Sequence, residues 1–245
     1  MKRLLGTACA VMVTLYLCAA AAHASVVITG TRVVFPAQQG EVTVRLSNQA
    51  DHPALVEAWI DTGDTKSTPD TASAPFLITP PLFRMEPHKD QNLRIIYTQG
   101  SQPLPTDRES LFWLSVLEVP PKPSGPQYAG RNYLQFGIQS RLKLFYRPAG
   151  LPGDAMKAPD RLRFTAQGTT LDVRNPTPYY VTIGSISLGP DGKPFDGVSG
   201  MVAPLGELHL TLKSLTQAPA AGTAITFTTI NDFGAVDTHK GIVTP

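Results

Sequence analysis

The chain has 245 residues, with 21 Lys or Arg against 19 Asp or Glu, and 42% hydrophobic residues. Two of the basic residues, Lys2 and Arg3, open a leader that runs MKRLLGTACAVMVTLYLCAAAAHAS. Without them 19 basic residues face 19 acidic ones, a neutral balance that gives no reason to expect nucleic acid or an anionic membrane as partner.

The leader has the parts of a cleaved secretory signal: positive residues, an apolar run, and Ala22-His23-Ala24 before a cut at Ser25. Its apolar core is short for a membrane span, and Leu15-Tyr16-Leu17 before Cys18 is bulkier than a lipoprotein site would be. Cys9 and Cys18 both fall inside residues 1–24, so the mature chain is expected to have no disulfide even though it is exported. Roughly 220 remaining residues suggest two domains of about 100 each, held together by packed cores alone.

Beyond Ser25 the sequence consists of short alternating apolar segments broken by Pro, Gly, Asn and Asp, with no stretch of helical period. In order, VVITGTRVVFP, EVTVRLSNQ, ALVEAWID, FLITPPLFRME, QNLRIIYTQ, LFWLSVLEVP and NYLQFGIQSRLKLFYRP read as seven strands over residues 26–148, the count of an immunoglobulin-like sandwich. Pro80-Pro81 implies a bend or an edge in the fourth, since proline cannot donate to a ladder. The seventh, Asn132 to Pro148, alternates throughout: Leu134, Phe136, Ile138, Ser140, Leu142, Leu144 and Tyr146 on one parity, Gln135, Gln139, Arg141 and Lys143 on the other. As one strand it would run about 50 Å, against about 17–20 Å for an ordinary strand, more than one sandwich core covers.

The Pro- and Gly-rich AGLPGDAMKAPDR then reads as a linker, with a boundary between Pro148 and Pro159. LRFTAQG, TTLDVRN, YYVTIGSISL, ELHLTLKS, AITFTTIND and a tail form a second, smaller β domain. The expected layout is a signal peptide over 1–24, an immunoglobulin-like domain over 25–148 and a second β-sandwich over 149–245, all-β throughout.

Catalytic motifs are scarce. His52, His88, His209 and His239 sit in separate segments without metal-ligand spacing and read as solvated surface residues. No G-x-S-x-G elbow, Walker loop or G-x-G-x-x-G follows a strand, and Gly197-Val198-Ser199-Gly200 reads as a turn. Asp61 and Asp64 in DTGDT match the aspartic-protease tripeptide, but in a single copy followed by polar residues, the pattern of a loop. An exported hydrolase acting through Asp61 stays a rival reading, although an enzyme is not expected, and no metal or cofactor is implied.

Five segments, in order, resemble the periplasmic chaperones of the chaperone-usher pilus pathway: TRVVFP (31–36), DRESLFWLSVLEVPP (107–121), LKLFYRP (142–148), NPTPYYVT (175–182) and INDFG (230–234). The resemblance implies two immunoglobulin-like domains at an angle, with a cleft between them. It assigns Arg32 and Lys143 to gripping the C-terminal carboxylate of a pilus subunit, a planar anion that gains from charge-assisted hydrogen bonds to two cations. From the residues alone, both read rather as strand-end surface charges. It assigns Leu134, Phe136 and Ile138 to a strand lent to the unfinished fold of the subunit, because the last strand of such a domain lies at a sheet edge. On a regular strand Lys143 has the opposite parity to these three and points to the other face, and Leu142 and Leu144 are better explained as core. It further assigns Glu109, Arg147 and Asp232 to an ion network between the domains, and NPTPYY to packing at the second core or the hinge. The moderate loop PPKPSGPQYAGR and the lack of mature cysteine are similar to the short-loop class. The implied function is a periplasmic, non-enzymatic chaperone whose partners are pilus subunits and an outer-membrane usher. The rival from a structural class is a pilus subunit or adhesin with immunoglobulin-like domains.

Overall fold

The computed structural model describes residues 25–245 apart from 101–102, 129, 190–191, 193–194, 196, 214 and 216. The expected leader lies outside the described residues.

Two domains make up the chain, both all-β. In the first, β1 (Val26–Ile28), β3 (Glu41–Asn48), β7 (Asp90–Tyr97) and β5 (Phe76–Thr79) form a sheet in the order β1-β3-β7-β5. It faces a five-stranded sheet, β2-β9-β8-β4-β6, built from β2 (Arg32–Pro36), β9 (Ile138–Arg147), β8 (Ser110–Val119), β4 (Ala54–Asp61) and β6 (Leu82–Met85). Alternation drives the packing: Val44 and Leu46 of β3, Leu93 and Ile95 of β7, Leu114 and Val116 of β8 and Leu142 and Leu144 of β9 turn inward and bury one shared core. Each fully buried Leu or Ile of this set contributes about 1.5–3 kcal/mol of transfer free energy. At one end Phe35, Phe76, Tyr97 and Tyr146 close the core with ring centroids 4.6–6.5 Å apart.

Two segments expected as single strands are each divided between the sheets. VVITGTRVVFP gives β1 to one sheet and β2 to the other, turning at Gly30, whose φ of 89° suits glycine. FLITPPLFRME divides in the same way into β5 and β6, with the expected bend at Pro80-Pro81. Strands that change sheets connect the two layers of the sandwich, and alternation alone cannot show them, because it persists across the turn.

The second domain contains β10 (Arg163–Gln167), β11 (Thr170–Arg174), β12 (Val181–Leu188), β13 (Gly200–Val202), β14 (Glu207–Thr211), β15 (Ala224–Ile230) and β16 (Val236–Thr244), in the order β13-β12-β15-β16-β10-β11-β14. Its core includes Phe164, Leu171, Ile183, Ile186, Leu212 and Phe227. The tail is a full strand, β16, antiparallel to β15 and parallel to β10. No described helix is long and apolar enough to cross a membrane.

Candidate functional site

The parallel pairing of β2 with β9 sets the site, because it places Arg32 opposite Lys143 at one end and Pro36 opposite Arg147 at the other. Lys143 and Arg147 share the parity that faces away from the sandwich core, toward the second domain. Arg32 donates from Nη1 to the carbonyl of Ile230, 2.7 Å away, at the end of β15, while its Nε is buried with no hydrogen-bond partner. The Lys143 ammonium lies 3.5 Å from Thr182 Oγ1 and 5.9 Å from the centre of the Trp113 ring. Burial holds both cations below their ordinary pKa, offset at Arg32 by the field of Asp232 and reinforced at Lys143 by Arg32 itself. The ion pairs formed here belong to other cations, Arg141 with Asp61 and Arg147 with Glu109 and Asp232. Two half-buried cations therefore stand side by side, and no described carboxylate pairs with either.

At the far end of the same ladder all three predicted network residues come together. Arg147 donates from Nε to Glu109 Oε1 at 2.6 Å and bidentately to Asp232 at 2.8 and 3.1 Å. The other oxygen of Glu109 accepts the Tyr180 amide at 2.7 Å, and the Glu109 amide donates to the Pro178 carbonyl at 2.9 Å. Burial opposes the charge on Arg147, but its hydrogen bonds to Asp232 and Glu109 and the fields of both acids outweigh it and push its pKa up. The Phe145 ring, 5.6 Å from Tyr180, adds an apolar contact. Asp232 and Tyr180 belong to the second domain and Glu109 and Arg147 to the first, so the network ties the two together.

The proposed donor residues lie at the other end of β9. Leu134 is 84% exposed, Phe136 70% and Ile138 49%. The expected unbroken strand starts only at Ile138; residues 132–137 are exposed and unpaired in strand terms, with Gln135 Nε2 donating to the Pro120 carbonyl at 2.6 Å. Nor is β9 simply an edge strand. β8 pairs with it from Ile138 to Tyr146, whereas β2 covers its other side only from Lys143 to Arg147, leaving an open lane beside Ile138 to Leu142. Lys143 and Ile138 point to opposite faces, as alternation requires, because Ile138 shares its parity with the buried Leu142 and Leu144.

Asp61 is not a loop residue. It ends β4, is 1% exposed, and accepts from the Gly63 amide at 2.7 Å, from Ser67 Oγ at 2.9 Å and from Arg141. Ser67 in turn accepts from Trp59 Nε1, and the Arg141 guanidinium lies 4.6 Å from the centre of the Trp113 ring. The D-T-G string marks an Asx turn, in which the carboxylate bonds a backbone amide two residues on. Nothing in the sequence signals its partner 80 residues away. Thr182 and the Ile230 carbonyl were likewise missed, being a small hydroxyl and a backbone group. Of the histidines, His88 and His209 are exposed beside Asp51 and Asp172, but His239 departs from the surface reading. Its side chain is 11% exposed, stacked on Phe227 and bonded to Asp160 and Thr229, because it faces inward where β16 lies under the linker. No described group of three His, Cys, Asp or Glu is placed to hold a metal ion.

The domain model described as pili and flagellar-assembly chaperone, PapD N-terminal domain, matches residues 25–152, and that of the pili assembly chaperone PapD C-terminal domain matches 157–241. The chain belongs to the pili assembly chaperone family. Among the relatives of this pili chaperone, "Chaperone protein FimB/FhaD" of Bordetella pertussis is 42% identical over 245 residues, covering 99% of this chain and 98% of the relative. "Chaperone protein MrkB" of Klebsiella pneumoniae is 43% identical over 216 residues, covering 88% and 90%. In structure, a chain from the Salmonella enterica SafA pilin in complex with the SafB chaperone superposes with a TM-score of 0.76 at 31% identity, over 91% of this chain and 99% of that one.

Proposed function

We propose that this pili chaperone works in the periplasm, without enzymatic activity or cofactor, binding pilus subunits by donor-strand complementation and delivering them to an outer-membrane usher. The observation that carries the reading is the open lane beside β9. A guest strand laid there, parallel to β9 as β2 is, runs past Leu134, Phe136 and Ile138 and ends where β2 begins, at Arg32 and Lys143. Its C-terminal carboxylate then meets two cations that no described acid pairs with. The orphaned Arg32 Nε supports the same assignment, since a buried donor without an acceptor is costly and a carboxylate would satisfy it.

The two roles divide the work. Arg32 and Lys143 set the register by holding the chain end, and Leu134, Phe136 and Ile138 enter the apolar groove of the guest. At about 1.5–3 kcal/mol each, the three supply roughly 4–9 kcal/mol before ordering costs. Glu109, Arg147 and Asp232 hold the domain angle, with the division between domains at residues 148/149. Release follows strand exchange, when a neighbouring subunit supplies a better-fitting strand. Co-purification from periplasm with mass spectrometry of the captured protein tests the reading: a pilus subunit bearing a free C-terminus is expected, and recovery of the chain alone when its subunit is co-produced would overturn it.

A further inference from the structure

On the other face of the linker from the cleft lies a cavity of about 690 Å³, within the range of specific ligand sites. Pro176, Pro178 and Tyr179 form an apolar wall, and the Tyr179 hydroxyl donates to the Leu151 and Gly153 carbonyls, which fixes the ring. The rim carries Lys157, Arg161 and Arg163, all exposed, together with Asp154 and Asp160. Both acids are engaged elsewhere: Asp154 accepts the Met156 amide at 2.9 Å and Asp160 bonds His239 at 2.7 Å. The cations have no described acid paired with them.

A second feature points the same way. In the β10–β11 pair, Arg163 stands directly opposite Arg174, a like-charge pair that destabilises a sheet. On its other side Arg174 faces Glu207 of β14, with which it makes a loose, exposed ion pair at 3.9 Å. The fold thus sets three cations against two acids beside a rigid proline-tyrosine wall, with none of the three cations paired to a described acid.

We propose that this hinge-side groove is a docking site for an extended acidic peptide segment of a protein partner, its carboxylates on Lys157, Arg161 and Arg163 and its apolar atoms on Pro176, Pro178 and Tyr179. Guanidinium groups favour carboxylates through paired N–H donors, and the cations come from two successive turns and the start of β10, so a chain carrying several carboxylates matches them better than one small anion. The groove is bounded by the linker and by the loop leading to Tyr180, whose amide holds Glu109, so an occupant lies one residue from the interdomain network without touching the first domain.

The test is fluorescence anisotropy of the full mature chain with a dye-labelled octapeptide of alternating Glu and Pro, beside its Gln–Pro counterpart. The Glu peptide is expected to bind at least about tenfold more tightly, a preference that shrinks as salt is raised. Lys157→Glu combined with Arg161→Glu should abolish binding, while Arg161→Gln weakens it in a chain whose circular dichroism is unchanged. Capture of pilus subunits by these variants should persist, which separates this site from the cleft. Equal binding of both peptides, retained binding by folded charge-reversal variants, or complete competition by millimolar inorganic phosphate, which would mark a small-anion site, overturns the proposal.

Discussion

Arg32 and Arg147 sit at opposite ends of one five-residue parallel ladder, and their surroundings differ completely. Arg147 is fully spoken for, with two carboxylates, three hydrogen bonds and the Tyr179 ring 5.3 Å away. Arg32 has one carbonyl, a buried Nε with no acceptor, and another cation as its neighbour. A satisfied buried cation joins parts of a fold; an unsatisfied one stands ready for an anion that arrives later. The same strand pairing thus gives a fastener at one end and, under the proposed function, a receptor at the other.

The contrast breaks most readily at the fastener. Arg147→Ala strands two acids, one of them buried, and is expected to cost about 3–5 kcal/mol in urea unfolding. A loss under 1 kcal/mol would mean that the network does not tie the domains. Arg32→Ala and Lys143→Ala should behave in the opposite way, shifting unfolding by no more than about 1 kcal/mol while removing about 2–5 kcal/mol from subunit binding, enough to abolish recovery of complexes. Normal yields of complex from both variants would refute the receptor reading.

At the exposed end of β9, Leu134→Glu or Ile138→Glu should each remove about 1.5–3 kcal/mol of burial on the guest and reduce protection of a co-produced subunit from protease. Undiminished protection would exclude the donor role.

The smallest effect sharpens the comparison through pH. Lys143 must be charged to grip a carboxylate, and in the free chain its pKa lies below the ordinary 10.5. The bound anion raises it, so the complex holds a proton that the free chain gives up. Affinity for a peptide ending in the free acid should therefore fall as pH rises through the depressed lysine pKa, beginning below 10.5, and level off above the pKa in the complex. Lys143→Arg, whose charge persists, should flatten that profile in a calorimetric titration series.

Alternation named nearly every strand in this chain, and by itself it put Lys143 and Ile138 on opposite faces. It failed where strands change sheets, at Gly30 and at Pro80-Pro81, and at residues 132–137, which have the pattern of a strand but no neighbour to pair with. Asp61 shows the limit for side chains: its D-T-G string was visible, its buried bond to Arg141 was not.

The order of apolar and polar residues was enough to determine an all-β chain in two domains, since strand character follows from neighbours along the chain; the roles of particular cations and apolar side chains came only from the family resemblance. Which cation is neutralised and which is left waiting was decided only in three dimensions. Charge compensation depends on groups such as Asp232 and the Ile230 carbonyl, brought across from a second domain to within hydrogen-bond distance, and no local pattern encodes that distance.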